Sequence, residues 1–251
     1  MKKTLFFLII AYSISFVACN KNNNMEYQSG GIVLNFDDHY VQEWMRADSL
    51  LKKYNWKATF NVTMIKKLDA QQIEWLQYLE SKGHEIANHG LNHKEAVEYI
   101  SKYGMDKYLN DEVDSMTYLM NQKFNKITSF TYPGGSRNKE IDSKLFERFS
   151  ILRATIYGTE VPKKQRCFFN GSHLVFALGI DENYEHYSKG YLEELLKYTR
   201  DNDYILILYA HHITESVDGI YQMKLSTLDY ICDYAKSNNI KFMTLSDLAE
   251  L

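Results

Sequence analysis

The sequence contains little proline, few cysteines and no excess of basic residues. Only two prolines occur in 251 residues, and no Pro- or Ser-rich run marks an interdomain linker, so we expect one folded body. The formal net charge of -3 argues against a nucleic-acid partner, because proteins that bind nucleic acids usually have an excess of basic residues. No glycine-rich nucleotide-binding pattern follows a predicted strand. A hydrophobic content of 45% nevertheless permits a large core and excludes a disordered or collagen-like chain.

One apolar run lies at the N-terminus. Lys2 and Lys3 precede the apolar residues 5–17, a stretch too short for a membrane-spanning helix of about 20 residues but typical of a signal peptide. Small residues before a single Cys19 resemble the bacterial lipobox, in which the Cys carries lipid and becomes the mature N-terminus. An ordinary secretory peptide is the alternative.

This interpretation divides the chain into a signal peptide (1–18), a flexible Asn-rich tether (19–29) and a folded domain (30–251). We expect a monomer in the bacterial cell envelope, attached to the outer membrane only through lipid on Cys19. Cys167 and Cys232 could form a disulfide in an oxidising periplasm, but two distant cysteines in one domain are more often buried thiols. Neither has metal-ligand spacing.

From Gly30 onward, short apolar runs alternate with longer amphipathic stretches. We predict strands at 32–36, 58–62, 85–88, 127–132, 150–156, 204–209 and 241–244. We predict helices at 41–54, 70–82, 105–124, 140–149, 191–200, 225–237 and 246–251. Residues 158–190 show no clear period, although 166–169 and 174–178 are candidate strands. The alternation favours a distorted α/β barrel of about seven parallel strands over an open doubly wound sheet.

Titratable residues cluster where three predicted strands end, the region that carries function in parallel barrels. They are Asp37, Asp38 and His39 after the first strand, His89 and His93 after the third, and His211 and His212 after the strand at 204–209. Five of the eight histidines lie at these three strand ends.

The first two of these clusters predict a metal site. Adjacent carboxylates are costly to hold together unless a cation or a proton intervenes. His89 and His93 lie four residues apart, so a turn or tight loop can bring both imidazoles to one point. Two His and one Asp suit zinc or another divalent metal, and the second carboxylate could accept a proton from water.

Four segments, in order, resemble the motifs of the polysaccharide deacetylases with a NodB-homology domain (carbohydrate esterase family four). Residues 35–38, N-F-D-D, are similar to the first motif, T-F-D-D. Residues 89–93, H-G-L-N-H, are similar to H-[ST]-x-x-H, with Gly90 in place of Ser or Thr. Residues 130–134, F-T-Y-P-G, lie where R-x-P-Y is expected. Residues 206–211, L-I-L-Y-A-H, resemble the last motif, an apolar strand ending in His.

The resemblance covers residues 30–251 and implies a catalytic domain that hydrolyses N- or O-linked acetyl groups on a glycan. It implies Asp37 as the general base and His211 as the general acid. It also implies one divalent metal ion, zinc being expected, with three ligands: Asp38, His89 and His93.

The third motif implies further residues. The backbone N–H of Gly134 would stabilise the oxyanion, and Tyr132 would contact substrate. Thr131, however, stands where the family has an Arg that positions the base. Arg153, at the end of the next strand, could supply that cation, or it could be an ordinary surface residue.

The fourth motif, whose Asp orients the catalytic His, has no clear match. Because side chains alternate along a strand, only one of His211 and His212 can point inward, and we favour His211 as the acid.

Two other functions remain open. A non-catalytic carbohydrate-binding lipoprotein on the same barrel is favoured by the missing motif Arg. A metallohydrolase of a non-sugar amide would have a small closed polar pocket, whereas a cleft lined with Tyr and Trp would favour a sugar. The sequence contains 20 Tyr.

Overall fold

The computed structural model describes residues 30–251, so the predicted signal peptide, tether and Cys19 lie outside the described residues and stay predictions. The strands in this range are β1 (Gly31–Asp38), β2 (Thr59–Val62), β3 (Glu85–Asn88), β4 (Ser129–Thr131), β5 (Ile151–Ile156), β6 (Leu174–Gly179), β7 (Ile205–Ala210), β8 (His212–Thr214), β9 (Gln222–Lys224) and β10 (Lys241–Met243). The α-helices are α1 (Val41–Leu51), α2 (Ala70–Ser81), α3 (Ala96–Tyr103), α4 (Met105–Tyr108), α5 (Ser115–Asn121), α6 (Lys139–Phe146), α7 (Lys189–Asn202), α8 (Leu225–Ser237) and α9 (Leu245–Leu248). A π-helical turn, Leu109–Asp114, joins α4 to α5.

The main sheet is parallel and closed. Its strand order is β10-β1-β2-β3-β4-β5-β6-β7, and β7 also pairs with β1. β1 pairs with three strands. On one edge it pairs with β10 along its first half and with β2 along its second half, and on the other edge it pairs with β7. Strands β1 to β7 close the ring and β10 is an additional strand on β1, so the predicted barrel of about seven parallel strands is confirmed.

Alternate residues of the strands face the helices and the barrel interior. Phe36 of β1 packs outward against Phe60, and Trp44 of α1 stacks on Phe60 at 4.8 Å between ring centroids. Inward residues divide into two layers. The layer nearest the N-terminal ends of the strands, the floor of the barrel, is mainly apolar and includes Val33, Ile151, Val175 and Ile207, with Leu245 and Leu248 of α9 packed against it. On one side of the floor, the carboxylate of Glu85 accepts the hydroxyls of Thr59 and Ser129. At the C-terminal ends of the strands, which form the mouth of the barrel, the inward residues are mostly polar.

β1 begins at the floor, where the backbone N–H of Gly31 donates to the carbonyl of Tyr204 at 3.0 Å. Gly31 therefore lies at the end of the barrel opposite the mouth. None of the helices described in residues 30–251 is long and apolar enough to cross a membrane.

The structure differs from the sequence prediction in a few elements. Residues 174–179 form β6, but residues 166–169 do not form a strand, because Phe168 makes only an isolated antiparallel bridge with Leu206. The helix α3 was not predicted from the sequence; only Ala96 is fully buried in it, and Tyr99 and Ile100 pack against the core from partly exposed positions. The short ribbon of β8 and β9, which have three residues each, was not predicted either.

Cys167 and Cys232 are free, buried thiols, as the sequence analysis favoured. Burial raises the pKa of both thiols, so they are protonated and inert at neutral pH.

Candidate active site

The two carboxylates that end β1 take different directions. Asp37 continues the inward series of Val33 and Asn35 and is 3% exposed. Asp38 has a φ of +82°, a left-handed conformation that non-glycine residues rarely adopt. The backbone therefore turns where the strand ends, and both carboxylates lie at the mouth of the barrel.

Asp38, His89 and His93 form the predicted ligand cluster. Each offers one ligand atom, and these atoms lie within 4.8 Å of one another. Oδ1 of Asp38 is 3.4 Å from Nε2 of His93 and 3.9 Å from Nε2 of His89. Two imidazoles and a carboxylate are a donor set that suits zinc and similar divalent metals.

The surroundings of His89 fix the tautomer and the charge that a metal ligand needs. Its Nδ1 lies 2.9 Å from the carbonyl oxygen of Thr131, so Nδ1 carries the proton and donates it there. Nε2 then presents its lone pair to the cluster. Burial lowers the pKa of His89 to about 4, so the ring is neutral at physiological pH, as metal binding requires. The cluster thus fits a divalent metal ion.

Arg153 contacts Asp37 from β5, whereas the family motif has its Arg at the position of Thr131 on the neighbouring strand β4. Arg153 on β5 is the register partner of Thr131 on β4, so both side chains point into the barrel. Nη2 of Arg153 donates to both carboxylate oxygens of Asp37, and the guanidinium lies over the ring of Tyr209 at 4.9 Å. Arg153 is fully buried and is not a surface residue.

Further polar residues complete the contacts of Asp37. The hydroxyl of Thr131 donates to Oδ1 of Asn61 at 2.8 Å, and Nδ2 of Asn61 donates to Oδ1 of Asp37 at 2.9 Å. Burial alone would raise the pKa of Asp37, but Arg153 and two nearby histidines outweigh burial and lower the pKa to about 2. Asp37 is therefore ionised and fixed in direction at neutral pH.

Asp181 is a functional candidate that was not predicted from the sequence. It lies two residues after β6 and is fully buried. Its Oδ2 is 2.6 Å from Nδ1 of His211, and its Oδ1 accepts the backbone N–H of His211 at 3.1 Å. This arrangement keeps the Nδ1 proton in place and leaves Nε2 for proton exchange. The available signal was a carboxylate just beyond the end of a candidate strand.

His212 points away from Asp181, towards α1. Its Nδ1 lies 2.9 Å from Oε1 of Glu43, and its ring contacts Tyr40 at 3.4 Å between centroids. Of the two adjacent histidines, the structure brings His211 to the site.

Tyr132 does not reach the site, which corrects the prediction that it contacts substrate. Its hydroxyl donates to Asp142 of α6 at 2.7 Å, and the residue is 1% exposed. Strand alternation is the reason, because Thr131 points inward and its neighbour must then point towards the helices.

The turn after β4 lies beside the loop that carries His89 and His93. A Cβ added to Gly90 would come within 3.4 Å of the ring of Pro133. Gly134 follows with a φ of +60°, which glycine adopts readily. Its backbone thus lies at the mouth, at the turn where an oxyanion donor was expected.

Aromatic rings line the His211 side of the mouth. This aromatic wall consists of Tyr157, Tyr184, His186 and Tyr221. The ring of Tyr221 lies 5.0 Å from that of His211, and Tyr184 stacks on His186 at 5.2 Å. Tyr157 is 59% exposed and Tyr221 is 44% exposed. Exposed rings with polar tips suit the apolar faces and hydroxyls of sugars.

The chain is similar to known proteins in part of its sequence and in its fold. Residues 25–147 match the family model described as polysaccharide deacetylase. No curated protein sequence matches the chain significantly.

Three similar solved structures illustrate the range of this fold. A variant of the peptidoglycan deacetylase PdaC from Bacillus subtilis is 19% identical, with a TM-score of 0.53 over 88% of this chain and 91% of that one. A family 4 acetyl xylan esterase from Clostridium thermocellum, in complex with a cobalt ion, is 16% identical, with a TM-score of 0.52 over 86% and 89%. A CE4 family pseudoenzyme from Bacillus anthracis is 14% identical, with a TM-score of 0.56 over 88% and 66%. At these identities the likeness shows the fold.

Proposed function

The chain belongs to the polysaccharide deacetylase family (carbohydrate esterase family four), and from this premise we propose that it is a metal-dependent hydrolase that removes acetyl groups from a carbohydrate. One observation carries the proposal. The ligand cluster lies at the same barrel mouth as two oriented pairs, Asp37 with Arg153 and His211 with Asp181. A ligand set, a fixed base and a fixed acid are the parts that acetyl transfer to water requires.

Asp38, His89 and His93 would hold the ion. Bound there, a divalent metal would polarise the acetyl carbonyl and lower the pKa of a water molecule beside it. Zinc is the expected ion for two imidazoles and one carboxylate.

The protein's own residues move the protons. Asp37, ionised and held by Arg153 and Asn61, accepts a proton from the attacking water. His211, oriented through Nδ1 by Asp181, donates a proton from Nε2 to the departing amine or hydroxyl of the sugar. The backbone N–H of Gly134 donates to the oxyanion. Water thus supplies the oxygen of the released acetate and the proton of the deacetylated sugar.

Two observations favour this function over the alternatives. The aromatic wall favours a sugar over a small non-sugar amide, which would need a closed polar pocket. A binding role without catalysis was suggested by the missing motif Arg, but Arg153 supplies a guanidinium to Asp37 from the neighbouring strand.

The experiment measures bound zinc and acetate release together. Protein purified without chelator should hold about one equivalent of zinc. It should release acetate from oligomers of N-acetylglucosamine or from acetylated xylan oligomers, lose this activity with a chelator and regain it with zinc. A His89→Ala, His93→Ala double variant should lose both metal and activity, whereas His212→Ala should retain the metal.

Unchanged zinc in the double variant would contradict the metal site. Bound zinc with no acetate release from either substrate class would instead favour the non-catalytic function.

Asp181→Asn should change the pH dependence of catalysis. Burial lowers the pKa of His211, but the hydrogen bond to Asp181 and the charges of nearby carboxylates outweigh burial and raise the pKa above its usual value. Loss of the Asp181 charge should lower that pKa. Since the acid must be protonated, the alkaline limb of kcat/KM should move to lower pH, and the maximal rate should fall ~10²–10⁴-fold.

Asp142→Asn is the matched control, because Asp142 is a buried carboxylate bonded to Tyr132 away from the mouth. It should leave the alkaline limb in place. An unchanged limb in Asp181→Asn would remove His211 from the role of acid.

A further inference from the structure

One buried carboxylate forms several hydrogen bonds to the loop that carries both histidine ligands. This ligand loop comprises residues 89–94. The carboxylate of Glu112 accepts the backbone N–H of Asn92 at 2.8 Å, the side-chain amide of Asn92 at 2.7 Å and the backbone N–H of Lys94 at 3.4 Å. The backbone carbonyl of Glu112 accepts the N–H of Leu91 at 2.9 Å. Glu112 therefore binds three residues of the ligand loop.

Glu112 lies in the π-helical turn between α4 and α5. The backbone N–H of Ser115 bonds to the carbonyl of Asn110, five residues earlier. Such turns contain one more residue than an α-helical turn and occur frequently at functional sites. Glu112 is 1% exposed and faces the ligand loop, whereas its neighbour Asp111 binds Lys107 at 2.6 Å on the solvent side.

The ligand loop needs such support because its backbone is strained at a ligand. His93 has a φ of +57°, which non-glycine residues rarely adopt. The residues on both sides of His93, Asn92 and Lys94, are the ones whose N–H groups bond to Glu112. These bonds fix the direction in which the imidazole of His93 leaves the backbone.

We propose that Glu112 is a positioning residue that directs His93 and thereby sets the affinity of the Asp38–His89–His93 cluster for a divalent ion. This inference rests on the proposed metal-dependent function. Glu112 touches neither the ion nor the substrate, and it acts through the backbone on either side of His93. Residues that orient a ligand without touching the metal commonly control affinity.

The test is the zinc dissociation constant, measured by competition with a chromophoric chelator. Glu112→Ala should weaken zinc binding by about 10–100-fold. Glu112→Gln should weaken zinc binding less than Glu112→Ala, because the amide keeps one acceptor oxygen. Some loss should remain, because the NH₂ group of Gln cannot accept the N–H groups of the ligand loop. Asp111→Asn is the matched control: it removes the same charge from the same turn and should bind zinc as the wild type does.

Two further readouts separate positioning from folding. Thermal unfolding of the metal-free variants reports their fold, and the absorption spectrum of the Co²⁺-loaded proteins reports ligand geometry. The spectrum should change in both Glu112 variants and stay unchanged in Asp111→Asn. If Glu112→Ala does not fold, the nearly isosteric Glu112→Gln carries the test.

The outcomes distinguish this inference from the proposed function. A wild type that binds no zinc would overturn both. A wild type that binds zinc, with Glu112 variants that bind it equally well, would overturn the role of Glu112 alone. Equal weakening in Asp111→Asn would also overturn it, because the effect would then follow from charge and not from the bonds to the ligand loop.

Discussion

Arg153→Ala should lower the free energy of unfolding by about 3–5 kcal/mol at neutral pH, because it leaves the charge of Asp37 buried without its cation. Arg153 is fully buried and Asp37 is 3% exposed, so the pair is shielded from bulk water. Acetate release should fall as well. Without Arg153, the carboxylate of Asp37 loses the donor that fixes its direction, and its pKa rises from the low value of the wild type, so it is a less well placed base.

The sign of the pH dependence follows from the same groups. In the wild type the lowered pKa of Asp37, about 2, contributes stability above the ordinary carboxyl pKa, and this contribution is lost as the pH falls towards 2. In Arg153→Ala the carboxyl can protonate at higher pH. The stability difference between the two proteins should therefore be largest near neutral pH and should shrink in acid. Denaturant unfolding at several pH values measures it.

A double variant that returns a guanidinium to Asp37 tests whether the effect of Arg153→Ala comes from the buried ion pair. Thr131 and Arg153 are register partners that both point inward, so Thr131→Arg with Arg153→Thr moves the guanidinium by one strand, to the position expected from the family motif. This double variant should recover part of the stability and activity. Arg148→Ala is the control, because Arg148 pairs with Asp114 at the surface, where such pairs contribute about 0–1 kcal/mol. Arg153→Ala as stable as Arg148→Ala would contradict the buried pair.

Features determined by neighbouring residues could be predicted from the sequence. The spacing of His89 and His93 is local, so one loop brings both rings together. Asp37 and Asp38 directly follow an apolar run, so their position at a strand end could be predicted, and β1 does end at Asp38. The parallel barrel followed similarly from the alternation of short apolar runs with amphipathic helices.

Contacts between distant strands could not be predicted in the same way. Asp37 and Arg153 lie 116 residues apart, and their contact depends on the register of β5 against β4. Asp181 follows the candidate strand at 174–178, but the segment around it has no clear period, so this strand end was not assigned to the site. Tyr132 was predicted at the site but faces the helices. A shift of one residue along β4 moves a side chain from the mouth to the helix layer, so the register of the strand decides which side chain reaches the site.

The second large effect concerns the adjacent carboxylates of β1. Asp37→Asn keeps the shape of the side chain and removes its basicity. Since the loss of a general base typically costs ~10²–10⁴-fold in rate, acetate release should fall by that amount. The ligand cluster does not include Asp37, so bound zinc should hardly change. Asp38→Asn, in contrast, removes the carboxylate that approaches both histidines and should lose zinc and activity together.

The central claim is that one of these carboxylates accepts a proton while the other holds a metal ion. It is tested most directly by measuring bound zinc and the rate of acetate release on the same preparations of wild type, Asp37→Asn and Asp38→Asn. We predict about one equivalent of zinc and a strongly reduced rate for Asp37→Asn, and little zinc with little activity for Asp38→Asn. Near-full activity in Asp37→Asn, or loss of its zinc as in Asp38→Asn, would contradict the account.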